Sequence, residues 1–108
     1  MIRLVFAILL FTLPAHAWPK CDSDLDGVEL TACLYAAYER AEGRLDELWQ
    51  RSKVNRMSRD EQLAWATYRD AACANEMAKG GQDASVRQAT CLLEMTEDRI
   101  KQLEKDHK

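Results

Sequence analysis

Trp65, Arg69 and Cys73 recur at intervals of four, which stacks an indole, a guanidinium and a sulfur on one face of any helix that contains them. Flanked in this way, Arg69 points at least partly inward. A semi-buried guanidinium needs a carboxylate to offset its lost hydration, and the segment upstream offers Glu42 or Asp46. Two roles follow for this cluster: Arg69 registers one helix against another, or, with Trp65 and Tyr68, it forms a patch that a partner protein binds. Enzymatic chemistry is harder to assemble. Of the two histidines, His16 lies in an apolar N-terminal run and His107 in a charged C-terminal tail. A Ser/His/Asp or Cys/His arrangement therefore has no base, and a metal site would lack imidazole ligands. No catalytic residue, cofactor or metal is expected. Glu39, Glu42, Asp46 and Glu47 alternate with Arg40, Arg44 and Arg51, and Glu47 stands three residues after Arg44 and four before Arg51. Ion pairs on a solvated helix face account for that spacing better than a glycosidase-like carboxylate pair.

Cys21, Cys33, Cys73 and Cys91 set the compartment. Met1 to Ala17 reads as a secretory signal, with Arg3 as its charged end, Leu4 to Leu13 as its apolar run and Pro14-Ala15-His16-Ala17 as its cleavage site. That run is too short to span a membrane, and no cysteine sits at the cleavage point to take a lipid. Four cysteines in a short exported chain read as a two-disulfide framework in a periplasmic or secreted protein. Residues 18–108 are then one small domain that gains from covalent staples. The 108-residue chain carries 15 Lys and Arg against 18 Asp and Glu, net −3, and loss of Arg3 with the leader makes it −4. Such a balance argues against nucleic acid and permits attraction to a cationic partner.

The elements that must position these residues are three helices without strands, forming a small antiparallel bundle. Leu30, Leu34, Ala37, Ala41, Leu45 and Leu48 make one apolar stripe from about Val28 to Arg51, opened by an Asp26-x-x-Glu29 capping box. A second helix, Arg59 to Ala78, opens on Ser58-x-x-Glu61 and closes on Lys79-Gly80-Gly81; Leu63, Ala66, Cys73 and Met77 line its expected core face, with Trp65, Tyr68 and Ala72 alongside. A third opens on Ser85-x-x-Gln88 and carries Val86, Ala89, Leu93, Thr96, Ile100 and Leu103, with Glu104 to Lys108 expected to fray. The connections Ser52 to Met57 and Lys79 to Ala84 are short enough for antiparallel neighbours. Four cysteines allow three pairings. In an antiparallel hairpin, residues equally far from the turn face each other, and Cys73 and Cys91 are centred on position 82, inside the second connection. Geometry therefore favours Cys73 with Cys91 and Cys21 with Cys33.

Taken together, Cys21, Cys33, Leu45-Asp46, Gln62-x-x-Trp65-x-x-Tyr68-Arg69-Asp70-x-x-Cys73, Gly80-Gly81 and Ala89-x-Cys91-Leu92-x-x-x-Thr96-x-x-Arg99 resemble the domain of unknown function 1311, now named for the N-terminal region of the lysozyme inhibitor LprI. The resemblance covers nearly all of residues 18–108. Where members often have Leu-Asn followed by Tyr, this chain has Leu45-Asp46 followed by Trp49. The resemblance implies an exported helical domain that binds a cell-wall lytic enzyme such as a lysozyme. The alternative is a non-enzymatic envelope interaction or stress module with another partner. For an inhibitor, the basic residues around the first connection, Arg51, Lys53, Arg56 and Arg59, are candidates for a lysozyme's acidic cleft, and the turn with Gln82 and Asp83 competes with them. Expected partner-binding residues are Lys53, Arg56, Trp65, Tyr68 and Arg69.

Overall fold

The structure is a computed structural model that describes residues 21–22, 24–52 and 59–106. The expected leader, Lys53, Arg56, Ser58 and His107 lie outside the described residues. Three helices account for the fold: α1 (Gly27–Ser52), α2 (Arg59–Ala78) and α3 (Ala84–Asp106), with no strand among the described residues. The start of α1 is the expected one. Asp26 Oδ1 accepts the Glu29 N–H at 2.8 Å, satisfying one of the donors that a helix N-terminus leaves open. At the end of α2, Gly80 (φ 70°) and Gly81 (φ 94°) take the left-handed backbone that glycine tolerates, and the Gly80 N–H donates to the Met77 carbonyl at 3.0 Å.

Two expectations about helix ends are corrected. Ser85 does not cap α3; the Arg87 N–H donates to the Asp83 carbonyl at 2.9 Å, so Asp83 is the cap and Ser85 already lies inside the helix. The paired glycines reverse the chain tightly enough for α3 to begin earlier. Fraying from Glu104 onward is not what the structure has either, because α3 stays helical through Asp106 and Glu104 lies 3.8 Å from Arg44 of α1.

Helix α3 is the shared neighbour. Tyr35 meets Gln88 and Arg44 meets Glu104, so α1 runs parallel to α3, while the Cys73–Cys91 bridge holds α2 antiparallel to it. Between α1 and α2 no Cα pair among the described residues comes within 8 Å, although both helices pack along α3. The apolar core is Leu45, Leu48 and Leu103, with Trp49, Trp65 and Ile100 packed on it. Ala37, Ala41 and Ala89 are buried as well, and their small side chains let α1 approach α3 closely.

Both disulfides have the expected pairing, Cys21–Cys33 and Cys73–Cys91, and no cysteine is free. The second bridge also corrects the reading of α2. Leu63 is 55 % exposed and Met77 43 %, while the face turned inward carries Trp65, Arg69 and Cys73. Once Cys73 is tied to α3 the rotation of α2 is set, and Leu63, ten residues back, falls about 80° round the helix from Cys73. Deleting this bridge as Cys73→Ala/Cys91→Ala should cost about 3 kcal/mol, since it closes a loop of 18 residues. Urea unfolding measures it, and a loss below about 1 kcal/mol would mean that helix packing alone closes the hairpin.

A second fastening of the hairpin has no signature in the sequence. Arg87 Nη2 donates to the Gly80 carbonyl at 2.5 Å and to the Glu76 carbonyl at 3.3 Å, satisfying acceptors at the end of α2. Its Nε lies 3.4 Å from Glu76 Oε2, and Lys79 Nζ lies 3.0 Å from Glu76 Oε1. The hydrogen bond from Lys79, then the charge of Lys79 and the Arg87 contacts, hold the Glu76 carboxyl below the usual carboxylate range. A depressed folded-state pKa stabilises the fold above the unfolded pKa and loses that contribution as pH falls through the folded one. Glu76→Gln should therefore lower the melting temperature at pH 7 and narrow its difference from wild type on acidification toward pH 3. A difference that stays constant across that range would contradict the assignment.

Candidate functional site

A seam between α1 and α2, floored by α3, gathers the chemistry-bearing side chains, and Arg69 lies at its centre with 4 % of its surface exposed. Nη1 donates to Glu42 Oε1 of α1 and, at 3.3 Å, to Thr96 Oγ1 of α3; Nε donates to Asp70 Oδ1 at 3.0 Å. Thr96 is oriented to accept because its own hydroxyl donates to the Leu92 carbonyl at 2.7 Å. The faces of the guanidinium are used too. Its carbon lies 5.3 Å from the centre of the Tyr38 ring and 5.0 Å from that of Trp65, within cation–π range of both. Arg99 of α3 lies 5.4 Å from the same Trp65 ring. Tyr38 in turn meets Tyr35 edge to face at 6.5 Å, and the Tyr35 hydroxyl donates to Gln88 Oε1 at 2.9 Å.

The electrostatics of the seam follow from its burial. Desolvation works against the charge of Arg69, but the bonds to Glu42 and Asp70 outweigh it, so its pKa is pushed up and the group stays ionised. Burial also raises the Tyr38 pKa, against the opposing charge of Arg69, and keeps the phenol neutral. With 4 % of its surface exposed, and Nε and Nη1 bonded within the protein, the guanidinium is engaged chiefly with its own chain. The cluster therefore orders the three helices. Among the described residues no group of His, Cys, Asp and Glu side chains is arranged to hold a metal.

Of the two carboxylates expected for Arg69, the structure uses Glu42. Asp46, one turn nearer the connection, lines an open groove with Trp49, Gln50, Arg59, Gln62 and Leu63. Inside this region Trp49 Nε1 and Gln62 Oε1 are buried without a hydrogen-bond partner. The expected patch of Trp65, Tyr68 and Arg69 divides. Trp65 is half-buried and Arg69 buried, while Tyr68, about 100° round the helix from Arg69, stands 66 % exposed. Sequence reasoning missed Tyr38 and Thr96 as Arg69's neighbours. Thr96 carried a signal, being the one polar residue in the apolar stripe of α3.

Removing Arg69 strands Glu42 and empties a buried volume beside Trp65. Arg69→Ala should cost about 2–4 kcal/mol, and Arg69→Lys should recover less than half, because an ammonium cannot bond two edges while stacking on two rings. Urea unfolding decides it. A stability within error of wild type would mean that the guanidinium is solvated.

The family model described as lysozyme inhibitor LprI matches residues 20–103, a span that includes both disulfides and the whole Arg69 cluster. No curated protein and no solved structure matches the chain.

Proposed function

The chain belongs to the lysozyme inhibitor LprI family, and we propose on that footing that it is an exported inhibitor of a cell-wall lytic enzyme of the lysozyme kind. The match over residues 20–103 carries this reading. Two disulfides and the absence of a free thiol fit a protein that works in an oxidising compartment, periplasmic or secreted. None of the described helices is long and apolar enough to cross a membrane.

An inhibitor must present something to a cleft whose chemistry rests on a pair of carboxylates. Arg51 at the end of α1 and Arg59 at the start of α2 are exposed, and in the sequence they flank Lys53 and Arg56, which makes this stretch the basic candidate. Basic side chains there would pair with the cleft carboxylates, while the net acidic chain attracts a cationic enzyme over longer range.

Lysis of a peptidoglycan suspension by lysozymes of the c, g and i types, with and without purified protein, tests the reading. Inhibition of at least one type at micromolar concentration is expected. Reversing charge at Lys53→Glu and Arg56→Glu should abolish it without changing helicity or melting temperature. Undiminished lysis by every type would transfer the protein to the alternative, an envelope module with another partner. Inhibition that survives the charge reversal would remove only the connection from the contact.

A further inference from the structure

The large hydrophobic side chains that α2 leaves exposed do not belong to its inward face. Leu63 is 55 % and Tyr68 66 % exposed, and neither side chain contributes to the core. Between them the surface is small: Leu63, Thr67, Ala71, Ala64 and Tyr68 follow one another round the helix in steps of about 20–40°, an arc of about 140° on the side away from Arg69. All five are exposed. The result is a shallow strip walled by a leucine on one side and a tyrosine on the other, of the kind that a convex partner surface fills.

Charge identifies the partner. Helix α2 carries Asp60, Glu61 and Asp70 on its exposed side against Arg59, while Arg69 is withdrawn into the seam and Glu76 is held by Lys79 and Arg87, so the outward surface is acidic. Asp60 and Glu61 close the end of the strip nearest the first connection, and Asp70 stands on its Leu63 side, 61 % exposed, anchored by the bond from Arg69 Nε. A second copy of this chain fits poorly, because it would set one net acidic face against another. A cationic surface meets the acidic rim with opposite charge, and Tyr68, as one wall of the apolar strip, offers it the kind of side chain that contributes most to binding.

We propose that the outer face of α2, bounded by Leu63 and Tyr68, docks against the cationic surface beside the lytic enzyme's cleft. This rests on the inhibitor reading and adds a second contact, which begins beside Arg59 at the start of α2. The buried ionic cluster then has a functional consequence, since it takes Arg69 inward and leaves Asp60 and Glu61 on the exposed side of α2.

The test is equilibrium binding of the mature protein to the lysozyme type that it inhibits, at 50 and 300 mM NaCl. Tyr68→Ala and Leu63→Asp should each weaken binding at least about tenfold, a loss typical of a central interface residue, without a change in circular dichroism or melting temperature. Asp60→Lys/Glu61→Lys should weaken binding at 50 mM salt and flatten the salt dependence, whereas Glu97→Ala on the exposed side of α3 should change nothing. Binding that all the α2 variants leave within twofold of wild type would overturn the docking face while leaving the inhibitor reading intact. A wild-type protein that binds no lysozyme would overturn both. Sedimentation velocity showing a dimer that Tyr68→Ala dissolves would also overturn the proposal, by assigning the face to a second copy.

Discussion

Burying a guanidinium costs several kcal/mol unless its hydrogen bonds and charge are met inside, and that requirement organises this domain. Arg69 belongs to α2, but what satisfies it comes from all three helices: Glu42 and Tyr38 from α1, Asp70 and Trp65 from α2 itself, and Thr96 from α3. The backbones of α1 and α2 do not approach each other, so this side-chain cluster spans the seam that backbone packing leaves open. The Cys73–Cys91 bridge sits one helical turn from Arg69 and ties the same face of α2 to α3. Either constraint alone would leave α2 free to roll or to slide; together they fix its rotation and its register. Tyr68 and Leu63 then face solvent because no rotation of α2 that satisfies Arg69 and Cys73 can bury them.

The division of labour between core and staples follows from size. The buried apolar cluster is modest, with Leu45, Leu48 and Leu103 at its heart, and much of the remaining buried surface between helices is alanine. A core of that volume leaves little margin against chain entropy, so two covalent loops and one buried ionic cluster supply what packing does not. Such a scaffold holds its outer surface rigid without drawing large side chains inward. A preorganised surface loses less entropy on binding a partner, which suits a protein whose proposed activity is to occupy another protein's cleft.

Much of this was legible in the sequence because local rules carried it. Asp26 and Gly80 mark helix ends through hydrogen bonds reaching only three residues, and the equal distance of Cys73 and Cys91 from the turn is hairpin arithmetic. The inward aim of Arg69 followed from its neighbours at i−4 and i+4. Choosing between Glu42 and Asp46 did not, because both lie on α1 one turn apart and only the register of α1 against α2 separates them. The core face of α2 was misjudged for a related reason. Its alanines give almost no periodic signal, and Leu63 and Met77 appeared to complete a stripe that the cysteine and the arginine overrule. Arg87 was invisible because its target, the Gly80 carbonyl, comes within reach only after the hairpin has closed.

The account stands or falls on the coupling across the seam, and a double-mutant cycle between Arg69→Ala and Glu42→Ala, read by urea unfolding, measures it directly. The two single losses are expected to be far from additive, with a coupling of about 1 kcal/mol or more, because losing Glu42 leaves the buried Arg69 charge short of a partner, whereas Glu42, 39 % exposed, keeps part of its hydration when Arg69 is lost. A coupling below about 0.5 kcal/mol would show that the pair behaves as a solvated surface contact, and that something other than Arg69 holds α2 against α1.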